Sequence, residues 1–180
     1  MTSSPDLTQD YFSLFGLPVC FAIDRDELGA RYRRLQGELH PDRYANASSY
    51  EQRLAVQHSA LVNQAYQTLR KPLGRALYLM ELGGVSQNDM SRHQIDGGFL
   101  IMQMELREKL EAIPELMEPD EAIEHLLDEI NQDLRAEQRA FEQAYNGNDR
   151  EHAISACVKM QYLDKLLSEA ERLEAKLIDG

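Results

Sequence analysis

Cysteine is scarce in this chain of 180 residues: Cys20 and Cys157 stand alone and far apart, with no CxxC pair. Two solitary thiols argue against a disulfide framework, and the five histidines (His40, His58, His93, His125, His152) are equally scattered, so no zinc or cluster ligand set emerges. No metal and no cofactor is expected. Long apolar runs are missing too, since no window reaches the roughly 18 apolar residues that span a bilayer. The first residues, MTSSPDLTQDYF, have neither the basic nor the apolar region of a secretory signal. A cytoplasmic protein with no membrane partner is expected. Positive charge is short in one half only. Residues 1–75 carry nine Lys/Arg against eight Asp/Glu, whereas residues 76–180 carry ten against twenty-three. An acidic half repels phosphate backbones, which speaks against a nucleic-acid partner. The uneven division suggests two modules with different partners. Repeats, low-complexity segments and strand-like stretches are absent as well.

What remains is helical periodicity, in a chain long enough to bury a core without staples. A short amphipathic stretch at 11–15 stops at Gly16-Leu17-Pro18. Asp24 with Glu27 three residues on resembles a capping box. The helix that follows aligns Leu28, Tyr32, Leu35 and Leu39. A second long helix, from about Ser49 to Arg70, aligns Leu54, His58, Leu61, Ala65 and Leu69, with Val62 and Tyr66 beside them. Joined by a loop of roughly eight residues, the two should pack antiparallel. Pro72 opens a short helix with Leu73, Ala76, Leu77 and Met80 on one face. Residues 83–95 read as a linker. Three helices then follow, at 96–113, from about Pro119, and at 150–178, and predict a three-helix bundle. Their core faces are Phe99, Met102, Leu106, Leu110 and Ile113; Ile123, Leu126, Leu127, Ile130, Leu134 and Phe141; and Ala156, Met160, Leu163, Leu167, Ala170 and Leu177. The expected fold is all-α: a domain at 8–82, a linker at 83–95 and a bundle at 96–180.

Two constellations stand out. The first is His40-Pro41-Asp42, where proline pushes the preceding residue out of the helical region and so puts an imidazole and a carboxylate on a stiff corner. Arg31, Arg33 and Arg34 precede it and Arg43 follows. An enzyme would use His40 as a base oriented by Asp42, but that needs a pocket with further convergent polar groups, and a small hairpin offers none. No catalytic residue is expected. A solvated helix face is the plain alternative for the arginines. The second constellation is on the helix at 96–113. Leu100, Ile101 and Met104 project opposite its core stripe, together with Glu105, Glu108 and Glu111. A helix apolar on two faces is either wholly buried or has a second partner, and the glutamates oppose full burial. Packing of the three apolar residues on the first domain is the rival reading.

A short helix, an antiparallel pair and His-Pro-Asp in the loop between them resemble a J-domain over about residues 10–80. RYRRLQ (31–36) and Asn63-Gln64-Ala65-Tyr66 carry the likeness further. More narrowly, DYFSLFGLP (10–18), ELHPDR (38–43), NQAYQTLRKPLGRALYL (63–79), MELREKL (104–110) and YLDKL (162–166) resemble the HscB-type co-chaperones of iron–sulfur cluster assembly over nearly the whole chain. The cysteine-rich N-terminal segment of some eukaryotic relatives is not in this sequence, so the likeness is to the bacterial form.

The resemblance implies two docking sites. Arg31, Arg33, Arg34, His40, Pro41, Asp42 and Arg43 would dock on an HscA-type chaperone of the DnaK class and stimulate its ATP hydrolysis. Leu100, Ile101, Met104, Glu105, Glu108 and Tyr162 would hold the IscU-type cluster scaffold. The family has a further glutamate where this chain has Ala112, which implies a weaker or shifted polar rim there. A monomer that is not an enzyme is expected. A generic J-domain adaptor holding unfolded clients is the alternative, and co-purified partners would separate the two.

Overall fold

The computed structural model describes residues 9–44 and 47–179, without the side chains of Pro41, Asp42 and Asp179. It is all-α, with no strand among the described residues. The polar stretch 1–7 lies outside them. The chain divides into two compact units between Leu79 and Met80.

The first unit contains α1 (Tyr11–Leu14), α2 (Arg25–Glu38), a 3-10 turn (Pro41–Tyr44), α3 (Ser49–Arg70) and most of α4 (Pro72–Leu82). Side-chain caps set the helix starts. Asp10 accepts from the amides of Phe12 and Ser13 at 2.9 and 3.0 Å, and Asp24 from those of Asp26 and Glu27. Each satisfies donors that the helix cannot. The box expected at Asp24 is only half made, because the Glu27 carboxylate turns to Arg31 instead. Ser48 and Glu51 form a complete one at the start of α3.

α2 and α3 run antiparallel, as the loop length predicts. Tyr32 stacks on Tyr66 with ring centroids 4.0 Å apart, and its hydroxyl donates to Asn63 Oδ1 at 2.8 Å. Gln36, one turn on, donates to the same oxygen. α1 is held by Tyr78 of α4, which stacks on Tyr11 at 4.3 Å and accepts from its amide at 2.9 Å.

The corner between α3 and α4 is tight. Lys71 is extended, as the residue before a proline must be, and Pro72 takes the first helical position. A Cβ on Gly74 would lie 2.7 Å from the Thr68 carbonyl oxygen, so only glycine fits. Arg75, 6% exposed, closes the corner. Its guanidinium donates to the carbonyls of Leu69 and Phe21, each at 2.6 Å, and lies over the Phe21 ring.

The core faces of α3 and α4 differ in part from the expected ones. Ala55, His58, Val62, Ala65 and Leu69 are buried, while Leu54 and Leu61 are half-buried. In α4 the buried set is Arg75, Ala76, Leu79 and Met80, with Leu73 and Leu77 half-buried. A one-residue step turns a helix face by about 100°, and a helix packed by neighbours on two sides buries a wider arc than a single stripe marks. The contact of α3 with both α1 and α2 puts it in that position.

The second unit holds α5 (Gln87–Arg92), α6 (Gly97–Ala112), α7 (Pro119–Asn146) and α8 (Arg150–Asp179). α5 lies within the stretch 83–95 that reads as a linker. Its start is a capping box in which Ser86 accepts from the Asp89 amide at 3.1 Å and Asp89 accepts from that of Ser86 at 2.8 Å. Below it Val85 and Met90 are buried. α7 and α8 form a long hairpin whose turn places Asn148 at φ 55°. Asp149 then caps α8 through the His152 amide. Ile123, Leu126, Ile130, Leu134 and Phe141 are buried on α7, and Ala156, Met160, Leu163, Leu166 and Ala170 on α8. α6 packs on both, antiparallel to α7 and parallel to α8: Lys109 pairs with Glu129 at 2.7 Å and Arg107 with Glu169 at 2.8 Å. Leu127, Leu167 and Leu177, expected in these stripes, are half-buried at their margins.

Arg75→Leu keeps the bulk but strips the Leu69 and Phe21 carbonyls of their guanidinium donor. It is expected to destabilise the first unit by roughly 3 kcal/mol, read as an earlier midpoint in urea by circular dichroism.

Candidate functional site: two docking surfaces

The first surface is the corner that closes the α2–α3 hairpin. α2 ends at Glu38, Leu39 is buried as an anchor, and His40 stands exposed immediately before the 3-10 turn. The His40 carbonyl accepts from the Arg43 amide at 3.0 Å, which fixes the turn. Gln52 of α3 reaches back to the carbonyls of Tyr44 and Ala47 at 3.1 and 3.2 Å. The side chains of Pro41 and Asp42 lie outside the described residues. A cavity of about 500 Å³ opens nearby between Leu39, Tyr44, Ala55 and Val56. His40 is not among the residues lining it.

The four arginines are not equivalent. Arg31 is engaged within the unit: its guanidinium donates to the carbonyls of Phe15 and Gly16 and pairs with Glu27. It thereby holds the turn after α1, where Gly16 has φ +62° and a Cβ would lie 2.8 Å from Arg31 Nη1. Arg33, Arg34 and Arg43 are exposed. Arg33 lines a groove of about 1050 Å³ whose other charged residues are Asp24, Asp26, Arg25, Arg70 and Lys71. The last two come from the far end of α3. Sequence reasoning misses them because only the antiparallel hairpin brings residue 70 beside residue 33.

The second surface is built on α6. Asp96 caps its start by accepting from the Phe99 amide at 2.9 Å. Lys159 of α8 pairs with Asp96 at 2.8 Å, approaches Glu137 of α7 at 3.9 Å, and lies over the Phe99 ring at 5.4 Å. The Lys159 hydrogen bond, then the Phe99 amide, hold the Asp96 carboxyl below its ordinary range. Burial pushes Glu137 the other way, up. Phe99, Leu106 and Leu110 face the core, with Met102 half-buried beside them, and Ile113 is buried just beyond the helix end.

On the opposite side Leu100, Ile101 and Met104 are 42%, 61% and 62% exposed. The exposed carboxylates of Glu105 and Glu108 flank them. Tyr162, 41% exposed on α8, meets the buried Phe99 edge to face at 6.3 Å. Leu100 and Tyr162 line one shared groove. Residues read separately from two helices thus form one surface, an apolar centre rimmed by charge. Such a centre has the makings of an interface anchor. Ala112 is exposed at the far end of the helix, next to the exposed carboxylate of Glu111.

Other chemistry is sparse. Cys157 is buried, which pushes its thiol up to about 12 and leaves it unreactive at neutral pH. Among the described residues no cluster of three His, Cys, Asp or Glu could hold a metal ion, and no helix is long and apolar enough to cross a membrane.

An N-terminal hairpin with His-Pro-Asp at its corner, joined to a C-terminal helical bundle, defines a J-domain co-chaperone. A family model described as the HSCB C-terminal oligomerisation domain matches residues 95–171. A co-chaperone protein HscB homologue from Shewanella loihica is 42% identical over 171 residues, covering 93% of this chain and 99% of that protein. The solved chaperone HscB from Vibrio cholerae superposes with a TM-score of 0.84 at 36% identity, over 94% of this chain and 99% of that one. Human co-chaperone protein HscB gives 0.86 at 32% identity, over 96% and 85%. The chain belongs to the HscB family, co-chaperones of iron–sulfur cluster assembly whose partners are chaperones of the Hsp70 class. The family description names oligomerisation, where the sequence reading expects a monomer.

Arg31→Ala is expected to lower stability by about 1–2 kcal/mol, since two carbonyls lose a charged donor. Arg33→Ala and Arg34→Ala, both exposed, should stay within about 0.5 kcal/mol of wild type. Urea titration of the three variants checks the ordering.

Proposed function

We propose that this protein stimulates the ATPase of an HscA-type chaperone of the DnaK class and delivers to it an IscU-type scaffold, aiding iron–sulfur cluster transfer and protein maturation. It performs no chemistry of its own and works in the cytoplasm. The exposed patch of Leu100, Ile101 and Met104, completed by Tyr162 from another helix, carries this reading. A monomeric helical domain leaves three large apolar side chains on one exposed face when something else is to cover them. Glu105 and Glu108 on the rim would set orientation more than affinity.

In the first unit, Arg33, Arg34 and Arg43 steer the J-domain toward an acidic surface of the chaperone. His40 and Asp42 then make the short-range contacts that favour the hydrolysis-competent state. That bias is an allosteric coupling, and ATP is hydrolysed on the partner. Arg31 supports the docking helix from within.

Two measurements test the two halves. His40→Gln, folded by circular dichroism, should lose most stimulation of the chaperone's ATPase while still binding scaffold; full stimulation would sink the assignment. Leu100→Ala with Met104→Ala should weaken scaffold binding by at least about tenfold and leave basal J-domain stimulation intact. Equal binding by the double variant rejects the patch as the scaffold site. Sedimentation of the chain alone, at the same concentration, settles the expected monomer. Self-association that the double variant abolishes would reassign the face to a second copy.

A further inference from the structure

The groove that Leu100 and Tyr162 share continues past them between α5 and α8, with a volume of about 460 Å³. Its floor is apolar, with Met90 buried and Ile95 half-buried. Its rim carries Lys165 and His93, and none of the residues lining it is Asp or Glu. That is unusual in context, because residues 76–180 hold twenty-three carboxylates against ten Lys/Arg. Nor is Lys165 in an ion pair among the described residues, whereas Arg107, Lys109 and Lys159 each have a carboxylate partner. The groove is therefore a gap in an acidic surface, apolar below and basic at the edge.

We propose that this groove is the second half of the scaffold-binding surface. It takes an extended segment of the same scaffold, seating one apolar side chain on Met90 and Ile95 and setting a carboxylate against Lys165. Two observations select this occupant. The groove is continuous with the exposed patch, since Leu100 and Tyr162 belong to both. Its charge complements an acidic segment, which the rest of the acidic half would repel. The inference rests on the scaffold reading above and adds α5 to it.

Ser91 lies on the exposed lip of the groove, where bulk can be added without entering the core. Ser91→Trp is expected to fill the groove and weaken binding of an IscU-type scaffold about tenfold. Lys165→Glu should weaken it about fivefold at low salt, with the difference shrinking as salt rises. Both variants should keep the wild-type thermal midpoint and the wild-type basal stimulation of the chaperone ATPase. Wild-type scaffold affinity in Ser91→Trp overturns occupancy of the groove, and wild-type affinity in Lys165→Glu overturns the acidic segment. Leu100→Ala with Met104→Ala, measured alongside, separates the two ideas. If it weakens binding while neither groove variant does, only the groove proposal falls; if wild type binds no scaffold, the parent reading falls with it.

Discussion

Everything the bundle offers to a partner depends on how α6 is fixed at its start. A helix with apolar residues on both sides has two ways to bury one of them, about half a turn apart. Lys159 removes the ambiguity. Its ammonium pairs with Asp96, the residue that caps α6, and lies over Phe99, the first core side chain of that helix. The cation–π contact is worth about 1 kcal/mol and the cap a similar amount, small terms that act on one register. With Phe99 inward, Leu106 and Leu110 follow at helical spacing, and Leu100, Ile101 and Met104 must face out. Phe99 also carries Tyr162 on its edge, so the same anchor brings α8 into the exposed surface.

The first unit solves a comparable problem with carbonyls. Its helices are joined by sharp turns, and each sharp turn leaves acceptors without donors. Two arginines supply them. Arg75 serves Leu69 and Phe21 at the α3–α4 corner, and Arg31 serves Phe15 and Gly16 after α1. A guanidinium suits this work because its several donors are held in a rigid fork and it stays charged at any relevant pH. The consequence for function is a division of labour along α2. Arg31 faces inward to structure, while its neighbours Arg33 and Arg34 remain exposed. Counting basic residues on the helix overstates the charge available to a partner.

How much of this the sequence discloses follows from the range of the forces involved. The His-Pro-Asp corner is legible because proline acts on its own neighbours, and the exposed face of α6 is legible because helical periodicity is local. The buried face of α3 is only partly so, because which arc is buried depends on neighbours on two sides. α5 was readable in principle: Ser86 and Asp89 are spaced as a capping box, but six residues of mostly polar character look like linker. The groove around Arg33 and the groove at Lys165 are not legible at all. Each gathers side chains from distant parts of the chain, Arg33 with Arg70 and Lys71 in one case, Met90 with Leu100 and Lys165 in the other.

The uneven charge of the two halves then acquires a physical use. A chain with two docking surfaces must keep each partner off the wrong one, and discrimination is a difference of affinities. An acidic surface that suits Arg33, Arg70 and Lys71 is repelled by most of the second half, where carboxylates outnumber cations by more than two to one. An apolar partner finds no such repulsion at Leu100, Ile101 and Met104, provided its own acidic groups avoid Glu105 and Glu108. The groove edge at Lys165, the interruption in that acidic field, is where such groups can go. Repulsion over the broad surface and attraction at one gap specify register more sharply than attraction alone, because a misplaced partner meets carboxylates on either side of the correct position.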